Sequence, residues 1–126
     1  MFNYEFMDIA LNEAKKAKDL NEIPIGCVIV FENEVVSKGF NSGFWHAEIL
    51  CIHKAQEKLG KYLYGCTLYC TAKPCKMCQG AIELARLDLV IYGCDLNYPV
   101  KEVKKIGLVK EKESINLLKN FFFEKR

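Results

Sequence analysis

The alternation of short apolar runs with amphipathic stretches places the strongest limit on what this chain can fold into. Apolar, β-branched runs over residues 25–31 and 35–40, separated by three polar residues, predict a β-hairpin. Beyond residue 40, apolar runs alternate with segments of helical periodicity. Strands joined through helices pair in parallel, because a parallel connection needs a long crossover. The sequence therefore predicts a mixed sheet, antiparallel at its start and parallel later.

Local signals along the chain complete this architecture. Pro24 and Gly60 follow two amphipathic stretches and Pro74 opens another, as is typical of helix ends and helix starts. The pattern predicts helices over residues 2–19, 46–59, 74–85 and 114–125, further strands over 65–71, 87–92 and 106–109, and a loop over 94–105. We expect one domain over residues 1–126 with an α/β, three-layer α-β-α fold, in which a mixed five-stranded sheet has helices on both faces.

Composition narrows the class of protein. The 126 residues are 51% hydrophobic and 27% charged, which fits one globular domain and excludes a mainly disordered chain. The N-terminal segment lacks a basic start and a long apolar run, so we expect no signal peptide, no membrane span and a cytoplasmic location. The net charge is +2, and residues 101–126 carry eight Lys/Arg against four Glu, which allows nucleic-acid contact without requiring it.

The seven cysteines need an explanation, because a cytoplasmic protein keeps its thiols reduced and an odd number cannot all pair. Five of them lie within or beside apolar segments, where cysteine packs as a small hydrophobic residue. These are Cys27, Cys51, Cys66, Cys70 and Cys94. The other two are Cys75 and Cys78, in the first turn of the helix that Pro74 opens, and they are candidates for chemistry.

A metal site is the chemistry that Cys75 and Cys78 favour. Residues at positions i and i+3 share one face of a helix, about 5–6 Å apart, which suits two sulfur atoms on one tetrahedral Zn²⁺. His46 opens the preceding helix. Two strand–helix units of one sheet bring both helix N-termini to the same edge, where open α/β sheets place their sites. Three protein ligands are typical of catalytic zinc, which keeps a fourth position for water.

Glu48 stands two residues after His46, so its carboxylate is expected to reach that water as a general acid/base without binding the metal. A closed structural site remains the alternative, and it would need a fourth ligand such as Cys70 or Cys94. His53 is too far along the helix to share the metal, about 10.5 Å beyond His46, and is expected to be a packed or surface residue.

The motifs carry a family resemblance. His46-Ala47-Glu48 and Pro74-Cys75-Lys76-Met77-Cys78 match the H-x-E…P-C-x-x-C pattern of zinc deaminases. With Pro24–Val30, Gly39-Phe40-Asn41 and the final helix, they make the chain resemble the cytidine deaminase superfamily, over most of residues 4–94 and again over about 113–123. Within that superfamily the chain is most similar to the bacterial tRNA adenosine deaminases.

The resemblance implies a cytidine-deaminase-like fold, a homodimer and one Zn²⁺ per chain held by His46, Cys75 and Cys78. It also implies that Glu48 moves protons, and that the Asn41 side chain and the Ala47 backbone N–H bind the substrate. The partner it implies is a tRNA anticodon loop, in which adenosine at the wobble position becomes inosine.

Two other functions stay open: deamination of a free base or nucleoside (cytosine, cytidine or guanine), and a non-catalytic, zinc-stabilised partner subunit. The chain departs from the family near the expected substrate mouth. The loop between Asn41 and His46 is short, Lys73 precedes the cysteine motif, and Cys94–Lys105 replaces a longer segment. A substrate mouth with shortened loops fits a small substrate. Glu48 argues against a purely structural zinc site.

Phe44 and Trp45 in the short loop either stack on a base or pack on the first helix.

Overall fold

The computed structural model describes residues 4–94, 105–108 and 111–124. These residues form a five-stranded sheet and four helices, and the strand order is β2-β1-β3-β4-β5. In chain order the elements are α1 (Tyr4–Asp19), β1 (Gly26–Phe31), β2 (Glu34–Phe40), α2 (Ala47–Leu59), β3 (Cys66–Ala72), α3 (Lys76–Ala85), β4 (Leu89–Cys94), β5 (Lys105–Leu108) and α4 (Glu111–Glu124).

The sheet is mixed, as predicted. β1 pairs antiparallel with both β2 and β3, whereas β3, β4 and β5 run parallel. β2 and β3 therefore point the same way on either side of β1, and α2 is the crossover between them. This topology directs the carboxyl ends of β2, β3 and β4 to one edge of the sheet, which is where α2 and α3 begin.

Helices cover both faces of the sheet, which confirms the three-layer α-β-α prediction. Alternate residues of β1 point to opposite faces. Val28 and Val30 pack with α1 on one face, and Leu117 of α4 packs against the same cluster. Cys27 and Ile29 pack with α2 and α3 on the other. No helix among the described residues is long and apolar enough to cross a membrane.

Several predicted boundaries were wrong by one to three residues, as is usual for element ends. The helix expected from residue 74 begins at Lys76, so Cys75 is its N-cap instead of a first-turn residue. His46 is likewise the N-cap of α2. The last helix begins at Glu111 instead of residue 114. Most of the predicted 94–105 loop lies outside the described residues, and the single-domain expectation for residues 1–126 stays a prediction.

Gly26 allows α1 to pack directly on β1. A Cβ atom built on Gly26 would overlap the Ala10 carbonyl oxygen and lie 2.5 Å from the Ala14 backbone nitrogen. We expect Gly26→Ala to lower the free energy of unfolding by about 1–3 kcal/mol or more, because helix backbone cannot yield as a flexible side chain can. Denaturant unfolding measures this. Gly80→Ala is the control, since open space surrounds that position in α3 and alanine favours helix. An equal loss in both variants would contradict the steric explanation.

Candidate metal centre and active site

The residues that precede α2 and α3 form the centre of the site. His46 and Cys75 both have extended backbone conformations, and neither side chain makes a capping hydrogen bond. Both side chains are therefore available to bind a metal ion. Cys78 lies one turn beyond Cys75, and its thiol is buried. The open N–H groups at the two helix starts add partial positive charge to this edge of the sheet.

The three side chains have the separations that one tetrahedral ion requires. His46 Nδ1 lies 3.5 Å from Cys75 Sγ and 3.3 Å from Cys78 Sγ. Zn–N bonds of about 2.0–2.1 Å and Zn–S bonds of about 2.3 Å place such atoms about 3.5 Å apart around a tetrahedral ion. All three ligand atoms lie within 4.8 Å of one another. One imidazole and two thiols are a donor set that zinc prefers, so these residues fit the ion.

The electrostatics of Cys78 also favour a cation. Burial raises the pKa of this thiol, and the negative charges of Glu48 and Cys75 raise that pKa further. Without a cation the thiol holds its proton at neutral pH. A bound metal ion replaces that proton, so metal affinity should increase with pH.

Glu48 lies in the first turn of α2 and is 4% exposed. Burial raises the pKa of its carboxyl, whereas its own backbone N–H, the charge of His46 and hydrogen bonds from Cys78 and Cys70 lower it. A raised carboxyl pKa moves a group towards the range in which it both takes and gives protons near neutral pH. The sequence-predicted acid/base residue is thus placed beside the three metal-binding candidates.

The two predicted substrate-binding groups lie together and bind each other. Asn41 Oδ1 accepts a hydrogen bond of 2.7 Å from the Ala47 backbone N–H, and both residues are buried. Asn41 therefore satisfies one of the free N–H groups at the start of α2. Their contact with a substrate stays a prediction.

The remaining alternatives for ligands are resolved for the described residues. Neither Cys70 nor Cys94 joins the group formed by His46, Cys75 and Cys78 in that part of the chain. His53 has a side chain that is 72% exposed and lies 3.6 Å from Glu57, so it is a surface residue, as expected.

The short loop before His46 carries exposed aromatic side chains. Phe44 is 98% and Trp45 61% exposed, so neither side chain is packed into the core. The loop itself is held by two backbone hydrogen bonds of 3.0 Å between Ser42 and Trp45. The Gly43 N–H donates to Glu22 Oε2, which ties the loop to the segment after α1. Two large apolar surfaces therefore stand next to the site.

Sequence reasoning missed a second cluster beside the site. The sequence predicts a packing role for Cys27 and for Cys70, with Cys70 also an alternative fourth zinc ligand. In the structure their sulfur atoms and a Glu48 carboxylate oxygen all lie within 4.8 Å of one another. Strand patterning places Cys27 and Cys70 on strands. It does not give their register, which brings the two residues directly opposite each other.

A mixed sheet with a His/Cys/Cys group and a buried carboxylate at two helix starts defines a class of metal-dependent hydrolytic proteins. Residues 2–94 match the model of the cytidine and deoxycytidylate deaminase zinc-binding region. The chain belongs to this family, which confirms the resemblance seen in the sequence. The family match and the geometry of the His/Cys/Cys group also confirm the prediction of a zinc cofactor.

The chain is similar to several known proteins. It is 45% identical over 95 residues to the tRNA-specific adenosine deaminase of Aquifex aeolicus, a match that covers 70% of this chain and 63% of that one. The chain thus spans about three fifths of the length of this relative. A solved structure from a study of A-to-I editing by tRNA:A34 deaminases has a TM-score of 0.83 and 32% identity, and covers 92% of this chain and all of that one. The chain shares its fold with the guanine deaminase of Nitrosomonas europaea. The match has 21% identity and a TM-score of 0.80, and it covers 95% of this chain and 84% of that one.

Proposed function

We propose that this protein is a zinc-dependent hydrolytic deaminase that converts adenosine to inosine at the wobble position of tRNA. The observation that carries the proposal is the buried Glu48 carboxylate, which interacts electrostatically with Cys78 next to His46 and Cys75. A structural metal site has no use for such a carboxylate, whereas hydrolytic deamination needs an acid/base at this place. Similarity to tRNA-specific adenosine deaminases supports the choice of substrate.

In this proposal His46, Cys75 and Cys78 hold one zinc ion, which when bound supplies Lewis-acid activation of water near neutral pH. Glu48 accepts a proton from the attacking water and gives it to the purine ring nitrogen. The water oxygen bonds to the purine carbon that carries the amino group. Glu48 then moves the remaining proton of that oxygen to the amino group, and the carbon–nitrogen bond breaks to release ammonia. Burial of Glu48 supports this role, because it raises the carboxyl pKa and excludes bulk water from competing hydrogen bonds.

The substrate base enters, in this proposal, beside Asn41 and the start of α2. The Ala47 N–H holds the Asn41 side-chain oxygen and so orients the amide, and in this proposal the amide N–H₂ group donates to the base. Phe44 and Trp45 offer flat apolar surfaces next to His46, on which unpaired anticodon bases would stack. An anticodon loop is already single-stranded, so presenting its base costs little unpairing energy. A homodimer and a cytoplasmic location are further parts of the proposal.

One experiment separates this function from its alternatives. The zinc-loaded protein is incubated with an anticodon stem-loop RNA that carries adenosine at the wobble position and, separately, with free adenosine, cytidine, cytosine and guanine. Inosine should form in the RNA, and Trp45→Ala should lower kcat/KM for RNA by about tenfold through lost stacking. A stem-loop with guanosine at that position is the control. Turnover of only the free compounds would refute the tRNA assignment, and no turnover at all would favour a non-catalytic subunit.

A further inference from the structure

We propose that Cys70 is a positioning residue that orients the Glu48 carboxylate through a thiol hydrogen bond, with Cys27 as its support. The inference rests on the proposed function, since it assigns the group that holds the acid/base in place. Cys27 lies on β1 and Cys70 on β3, where they are cross-strand partners. Both are fully buried and pack in the cluster beneath α2 and α3.

The hydrogen bonds of this cluster run in one direction. The Cys27 thiol donates to Cys70 Sγ over 2.8 Å. Each thiol has one proton, so the proton of Cys27 is used in this contact and that of Cys70 is left for another acceptor. We assign Glu48 as that acceptor, because one of its carboxylate oxygens lies within 4.8 Å of both sulfur atoms. Burial raises the pKa of both thiols, which therefore keep their protons as donors at neutral pH.

Metal binding gives Cys70 its importance. As a zinc ligand, Cys78 would be a thiolate without a proton to donate. Cys70 then remains as the thiol that still holds the carboxylate in the zinc-loaded protein. The Glu48 carboxylate is buried, at 4% exposure. With a hydrogen bond from the Cys70 thiol it has fewer orientations than without that bond.

The orientation of Glu48 matters to turnover more than to binding. Proton transfer depends on the distance and angle between the carboxylate oxygen and the water and base atoms it serves. Cys70 touches none of these atoms, so its removal should lower kcat and leave KM and zinc affinity as they are. The expected decrease in kcat for Cys70→Ala is about tenfold, which is typical of one hydrogen bond to a charged group.

The kinetic test compares four zinc-loaded proteins on whichever compound the wild type deaminates. Cys70→Ala should show the tenfold loss in kcat, and Cys70→Ser should recover part of it because a hydroxyl still donates. Cys66→Ala is the matched control, since Cys66 is also buried, lies on the same strand and faces the same cluster. Cys70→Val replaces the alanine variant if that fails to fold. Equal kcat in Cys70→Ala and wild type, or an equal loss in Cys66→Ala, would overturn the assignment.

An infrared measurement tests the hydrogen bond without any turnover. The S–H stretching band of Cys70 in the zinc-loaded protein should lie at lower frequency than that of a free thiol, disappear in Cys70→Ala and shift upwards in E48Q. A spectrum in which no S–H band depends on both residues would overturn the proposal even if the enzyme is active. If the wild type deaminates nothing but the band behaves as expected, the proposed function fails and the hydrogen bond stands.

Metal analysis on the same samples tests the alternative explanation that Cys70 is itself a metal ligand. The Sγ atoms of Cys27 and Cys70 and a Glu48 oxygen are also close enough to ligate an ion. One zinc per chain in both the wild type and Cys70→Ala is the expected result. A second ion per chain that is lost in Cys70→Ala would overturn the positioning role, because Cys70 would then be a ligand.

Discussion

Glu48→Gln is expected to lower kcat by at least about 10²–10⁴-fold while the protein keeps its zinc. The carboxamide has the shape of the carboxylate but cannot take a proton from water or return it to the ring and the leaving amine. The readouts are single-turnover inosine formation and zinc per chain by metal analysis. Because Glu48 is not among the three metal-binding candidates, both the fold and the metal content should be preserved.

The same substitution should not destabilise the metal-free protein at neutral pH. Burial raises the pKa of the Glu48 carboxyl, so its ionised form costs free energy in the folded state, and an uncharged side chain removes that cost. Glu83→Gln is the matched control, since Glu83 is exposed on the neighbouring helix α3 and should leave kcat unchanged. Undiminished turnover by Glu48→Gln would refute the role of Glu48, whatever the substrate proves to be.

Cys78→Ala is expected to weaken zinc binding by more than about 10²-fold and to abolish turnover at stoichiometric zinc. Even residues that only support a metal ligand cost 10–100-fold in affinity when replaced, and Cys78 supplies one of three ligand atoms. Competition with a chromophoric chelator measures the affinity. Zinc should also stabilise the wild type by mass action, so its Tm should rise with added zinc and that of the variant should not.

Cys51→Ala is the control for this experiment. Burial raises the pKa of the Cys51 thiol to about 12, so at neutral pH the thiol is protonated and does not compete for the metal. Its removal should cost stability without changing zinc affinity. Full zinc occupancy in Cys78→Ala at the wild-type affinity would contradict the ligand set of His46, Cys75 and Cys78.

Periodicity predicted the architecture well because it reports which residues must be buried. The continuous apolar run of β1 requires both of its faces to be buried, and the helical repeats of α1 and α2 each require one buried face. Only a sheet covered on both sides satisfies these requirements together. Helix starts were less well predicted. Pro74 is compatible with the first helical turn, but the chain stays extended through Cys75, and this leaves the Cys75 side chain free for the metal site.

The metal group was also visible in the sequence, since its residues stand in fixed positions relative to two helix starts. The relation of Asn41 to Ala47 was not, because a six-residue separation does not say whether a side chain turns back to the helix or outwards to a substrate. The exposure of Phe44 and Trp45 could not be predicted from the sequence either. It depends on the loop conformation, which the backbone hydrogen bonds between Ser42 and Trp45 hold in place.

The sequence by itself therefore predicted the layered fold, and it also predicted that His46, Cys75, Cys78 and Glu48 lie together at two helix starts. These depend on local spacing and on burial patterns that repeat within one element. Only the tertiary structure decided that Cys27 and Cys70 meet beneath Glu48. That contact depends on the register between β1 and β3, two strands that lie far apart in the chain. Register is set by how the whole sheet packs against its helices, and a shift of one residue between the two strands would turn the two thiols to opposite faces of the sheet.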